Sequence, residues 1–200
     1  MDARQEFLTH HAHLHAAVTS GTTDVSLEDS LCQDLADEQL RARPLGLNSI
    51  AWLLWHITRF EDVVVNTVLR GVPEVLDRDG WLDQLGVDTR LVGTGSSDEE
   101  VGDFSAQVEV AALRRYRAAV GRETRAWIAV VDFATLDEPA DVAARLAQAP
   151  AALGKRAGWV QRLWEQRTRH GLLSLPVIGH SYIHIGEARV TRARLGAAVR

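Results

Sequence analysis

Apolar residues recur along this chain at three- and four-residue intervals, and nothing longer than a few residues alternates strictly between apolar and polar. That period belongs to the α-helix, so the pattern predicts an all-α fold. The first stripe runs through Phe7, His11, Leu14 and Val18 and predicts a helix from about Ala3 to Ser20, which Gly21 stops. A polar turn and a short helix around Leu27 to Leu40 follow. A second long helix starts at Asn48 or Ser49, both good N-caps, runs through IAWLLWHITRFEDVVVNTVL and ends at Gly71, with Pro73 just beyond. Its near-continuous apolarity marks it as central. Residues 72–102 carry Pro, Gly and Ser around one anchored aromatic, Trp81, and read as a long connection. The third helix covers about Asp103 to Val131 through Val110, Leu113, Tyr116, Val120 and Trp127. Residues 132–171 give a short helix after Pro139 and another around Lys155 to Gln166, with His170 placed at a helix C-terminus. The fourth long helix opens at Ser174, carries Pro176 in its first turn and reaches about Leu195 before Gly196. Four long helices joined by long connections predict one bundle domain over residues 1–200, with crossovers and short extra helices. Connections of that length usually line a site.

Charge and composition narrow the partners. The formal net charge of -5 and the absence of any Lys/Arg run offer no stripe to neutralise successive phosphates, so nucleic acid is not expected as a partner. No window approaches the roughly 18 uninterrupted apolar residues of a spanning helix, and the N-terminal MDARQEFLTHHAHLH lacks the apolar core of a signal peptide. No membrane association is expected, and the localisation expected is cytoplasmic. The single Cys32 permits no internal disulfide, which agrees with a reducing compartment. Lying between Leu31 and Gln33 without a neighbouring His or Lys, it reads as an ordinary half-buried cysteine rather than a reactive one.

Histidine on apolar helix faces is the feature that calls for chemistry, because an unpartnered imidazole removed from water costs free energy that a leucine would not. His180 and His184 are four apart, so both rings leave one face of the last helix, the face shared by Val177, Ala188, Thr191 and Leu195. His56 lies on the stripe of Trp52, Leu53, Phe60 and Val63. If the second and fourth helices are neighbours, three neutral imidazoles converge and leave open positions on a divalent ion, the arrangement of a catalytic site. The spacing alone is equally open to three core histidines satisfied by carbonyls or side chains. HSYIH is not the HExxH of zinc proteases, and the paired Glu-x-x-His helices of di-iron bundles are missing. Glu187 stands three residues after His184, within reach as an acceptor for that histidine or as a proton acceptor in catalysis. Arg59, three after His56, is a candidate to border the mouth and contact an anionic group of a cofactor or substrate. In the tract HHAHLH at 10–15, His10 and His13 fall off the stripe and are expected in solvent, whereas His11 lies on it and could approach the site.

The segments LADEQLRARPLGLNSIAWLLWHITRFED (35–62) and VIGHSYIHIGEARVTRARLG (177–196) resemble the DinB-like superfamily, which includes thiol-dependent S-transferases and a maleylpyruvate isomerase. The likeness covers the chain at the level of helix order. It implies an up-down-down-up four-helix bundle with a zinc or nickel ion held by the positions matching His56, His180 and His184. It also implies a low-molecular-weight thiol such as mycothiol or bacillithiol as co-substrate. The 132–171 connection is longer than in compact members, so no substrate pocket carries over. The leading expectation is a metal-dependent enzyme that activates a thiol for transfer or isomerisation of a small-molecule substrate. The alternatives are a metal-dependent hydrolase needing no thiol, and a stress-associated bundle that binds metal or a small molecule without turnover. A homodimer is compatible with all three.

Overall fold

The computed structural model describes residues 2–149 and 152–196. Four helical rods carry the architecture: α1 (Ala3–Leu14), α2 (Ile50–Asp62), α3 (Val110–Val130) and α4 (His180–Leu195). A π-helical segment, Val63–Arg70, continues α2, and another, Leu173–Gly179, leads into α4. Helix α2 sits at the centre against both α3 and α4, and every residue of Ile50–Asp62 is buried, as its unbroken apolarity predicts. Apart from one bridged pair, Pro139 and Thr168, the described residues contain no extended pairing, so the chain forms the expected all-α bundle. No helix among the described residues is long and apolar enough to cross a membrane.

The helix starts follow local chemistry. Asp2 caps α1 by accepting from the Gln5 amide, and Ser49 caps α2 by accepting from Trp52. The rod after α2 ends on the left-handed Gly71, the stop predicted for it. Between the rods, Val142–Leu146 and Gly158–Glu165 are the two short helices expected in the 132–171 insertion.

Where the structure departs from the pattern, side chains from distant segments satisfy backbone groups that a continuous helix would have used. The first helix breaks after Leu14, and a separate turn, Ala17–Ser20, leaves Val18 exposed. The freed amides of Ala16 and Ala17 donate to Glu28 and Asp29, 3.0 and 2.8 Å away. The expected third helix is two: Asp98–Gln107 and α3, parted at Val108 and Glu109. There the Val108 carbonyl accepts from Arg41 at 2.9 Å, and the Glu109 amide donates to the Leu85 carbonyl at 2.9 Å. The short helix around Leu27–Leu40 is likewise two, Leu27–Cys32 and Asp37–Arg41. The 72–102 connection holds helix Trp81–Leu85. The last rod begins earlier than expected, with Thr168 capping Arg169–Leu172, so His170 is exposed in a first turn rather than at a C-terminus. Pro176 then lies inside the π-helical segment, whose wide turns accommodate a residue without an amide proton.

Candidate metal centre

Packing of α2 against α4 brings His56 up to His180 and His184. The ring centroids lie 4.8, 4.7 and 4.4 Å apart, and one ring nitrogen from each histidine falls within 4.8 Å of the others. The planes are inclined to one another by 60°, 85° and 74°. Imidazole lone pairs lie in the ring plane, so mutually inclined rings can aim at one point. Two aromatic side chains hold the rings in place: Trp52 stacks on His56 at 4.9 Å and Phe60 on His180 at 4.1 Å.

Hydrogen bonds behind the cluster fix which nitrogens are free. The Val92 carbonyl can only accept, so the His56 Nδ1 bonded to it carries the proton and Nε2 keeps its lone pair. The His184 Nδ1–H donates to Glu187 Oε2 at 2.7 Å, and Asn48 donates to the other carboxylate oxygen at 2.8 Å. Nδ1 of His180 is buried and has no hydrogen-bond partner among the described residues. Burial, and then the neighbouring His184, lowers the pKa of His56 to about 4. Burial, and then His56 and His184, lowers that of His180 to about 2. Both are therefore neutral near pH 7, the form that ligates a metal. The hydrogen bond from His184 keeps the Glu187 carboxyl below the ordinary range, so it stays an acceptor.

A cavity of about 490 Å³ opens onto the three histidines. Trp52, Phe60 and the 93–96 turn wall one part of it, and Trp159, Leu163 and Trp164 of the 132–171 insertion wall another. At the turn, Gly93 has φ +89°, and a Cβ there would stand 3.0 Å from Trp52 Cζ2 and 3.2 Å from His56 Nδ1. Glycine is thus required where the segment carrying Val92 presses against His56.

Two candidates from the sequence sit elsewhere. Arg59 does not border the cavity: it is wholly buried and donates to Glu74 at 2.6 Å, Tyr116 at 3.1 Å and the Arg90 carbonyl at 2.8 Å. Helical spacing alone would leave Arg59 beside His56; the acceptors of the 72–92 connection, Glu74 and the Arg90 carbonyl, draw its guanidinium to their side instead. There it anchors the segment that ends at Val92. His11 does not approach the site either. Its Nε2 bonds Glu61 Oε1 at 2.8 Å, while His15 Nε2 bonds Oε2 at 2.7 Å, all three side chains being buried. The His11 and His15 rings stack 4.2 Å apart and only 16° from parallel. Their in-plane nitrogens point side by side, each at its own carboxylate oxygen, as a hydrogen-bonded clamp requires and a single-ion site does not. Burial would raise the Glu61 carboxyl, but the imidazoles of His15 and His11 hold it well below the usual range. Burial followed by the charge of Arg117 lowers His15 to about 4.

Sequence reasoning missed His15 and Glu61, although a carboxylate within the apolar run of α2 was a signal for a buried partner. It also missed Val92 and Asn48, which no periodicity marks. Cys32 is buried, and burial pushes its thiol up to about 11, in keeping with an inert cysteine.

The family model of the DinB superfamily matches residues 26–188, a span that includes His56, His180 and His184. A solved structure of a conserved protein from Enterococcus faecalis superposes with a TM-score of 0.64 at 18% identity, covering 97% of each chain. At that identity the likeness is one of fold. No curated protein matches the chain. On the strength of the matched span, the chain belongs to the DinB superfamily.

Proposed function

We propose that the chain is a metal-dependent enzyme acting on a small molecule, most simply a thiol-dependent S-transferase or isomerase, with His56, His180 and His184 as ligands. The observation that carries this reading is the set of three inclined imidazoles at a cavity, one of them with a buried nitrogen that nothing among the described residues satisfies. A divalent ion such as zinc or nickel, bound there, would lower the pKa of a thiol or water brought to it and so supply a nucleophile at neutral pH. The protein's own part is orientation. Val92 and Glu187 each hold one imidazole by its Nδ1 proton, and Trp52 and Phe60 brace two rings.

The role of Glu187 follows from its position. Both its oxygens are engaged by His184 and Asn48, and it is not among the residues lining the cavity. It is a positioning residue for His184 rather than a proton acceptor. The same observation favours a thiol over water as nucleophile: no described residue lining the cavity is a carboxylate that could take a proton from water. A thiol gives up its proton to solvent more readily. Its sulfur then forms the bond to an electrophilic carbon while the leaving group departs with the electron pair, or, in isomerisation, the same sulfur is later expelled.

Elemental analysis of the purified protein tests the centre directly. About one divalent ion per chain is expected, lost in His180→Ala and in His184→Ala. Stoichiometric metal surviving in both variants overturns the assignment. Consumption of mycothiol or bacillithiol with model electrophiles separates the thiol reaction from hydrolysis, since a rate independent of any thiol would favour the latter.

A further inference from the structure

The cavity over the three histidines contains no Asp, Glu, Lys or Arg among its described lining residues. Its polar contributions besides the histidines are Asn48, Thr94 and Ser96, while most of the wall is aromatic or aliphatic. The nearby cations are already committed: Arg156, beside Gly95, is paired with Glu100, and Arg59 is buried in its own network. Apart from a metal held by the histidines, which would attract an anion, a charged group carried into this space would lose water and gain no partner of opposite sign.

The mouth has a second property. Trp159, Leu175 and Ile183, all lining the cavity, are 53%, 36% and 64% exposed. Large apolar side chains left in solvent around one concave site mark a surface that a ligand covers. Trp159 belongs to Gly158–Glu165, and with Leu163 and Trp164 that helix supplies a whole wall.

We propose that this cavity receives an uncharged, predominantly aromatic body, and that the wall contributed by Gly158–Glu165 selects it. The proposal rests on reading the histidine cluster as the reacting centre and adds to it the class of substrate. The long insertion thereby acquires a purpose: the bundle rods furnish the ligands, and the insertion furnishes specificity. Thiols and electrophiles bearing several carboxylates would have to leave those groups outside the mouth.

A matched series with one ring system tests the idea: naphthalene-2-methanol, naphthalene-2-sulfonate and naphthalene-2-methylammonium. Each is titrated calorimetrically into the protein as isolated and again after chelator treatment, with metal content measured on the same samples. In the chelator-treated protein, where no metal charge attracts the sulfonate, the alcohol is expected to bind at least tenfold more tightly than either ion. Leu163→Arg, at a half-buried wall position, is expected to bring the sulfonate level with the alcohol or ahead of it, and Trp159→Arg at the rim to do so if the first variant does not fold. An ion that binds the chelator-treated wild type as well as the alcohol does, no binding of the alcohol at millimolar concentration, or a sulfonate ranking unmoved in a folded arginine variant overturns the proposal. Metal content reports on the histidine centre independently, so the two ideas can fail separately.

Discussion

Replacing Glu187 with alanine should weaken metal binding about tenfold while leaving the fold intact. Its Oε2 accepts from His184 Nδ1 at 2.7 Å, and that bond fixes the tautomer and the direction of the opposite nitrogen. A hydrogen bond to a charged group contributes about 1.5–3 kcal/mol, but the Glu187 side chain is 37% exposed and solvent screens it, so roughly 1–1.5 kcal/mol is the appropriate share. That corresponds to roughly a tenfold change in affinity, at the lower end of the ten- to hundredfold range for outer partners of metal-ligating histidines. Glu187→Gln keeps an oxygen acceptor without the charge and should fall between the variant and wild type. The assay is competition with a chromophoric chelator at pH 7.5, with far-ultraviolet circular dichroism as the control for folding. An alanine variant that binds metal within twofold of wild type would refute the positioning role.

Further outcomes follow from the rest of the structure. Glu61→Ala leaves the buried His11 and His15 nitrogens without their acceptor and should cost about 1–3 kcal/mol for each, lowering the Tm by roughly 4–24 °C at constant metal stoichiometry; calorimetry reading a drop under about 2 °C contradicts the clamp. Gly93→Val must strain a backbone at φ +89° and crowd His56, so lower metal occupancy by elemental analysis is expected, and an unchanged occupancy would count against the turn's role. Acid should destabilise the metal-stripped protein. His15 and His56 sit near 4 when folded and near 6.5 when unfolded, so the unfolded chain binds more protons between those values, and stability present above about pH 6.5 is lost as the pH falls toward 4. Each histidine accounts for a loss on the order of 3 kcal/mol. Urea midpoints flat across that window would exclude it.

Much of this protein could be read from residue order alone, because the information is local. Helical period placed the rods, Ser49 and Gly71 bounded the central one, and the i, i+4 spacing of His180 and His184 put two imidazoles on one face. Continuous apolarity announced that α2 would be buried and that His56 would go inside with it. What the sequence could not supply depends on partners far along the chain. Helices broke at Leu14 and Gln107 because Glu28, Asp29, Arg41 and Leu85 were there to satisfy the exposed backbone. Arg59 was drawn from the expected mouth into the interior by carboxylates and carbonyls of the 72–92 connection, and His11 was claimed by Glu61. The apolar wall of the cavity came from an insertion whose helices carry no sign of where they will dock. Periodicity fixes which face a side chain leaves, whereas the choice of neighbour is made by burial and hydrogen bonding across the whole bundle, and only the folded chain decides it.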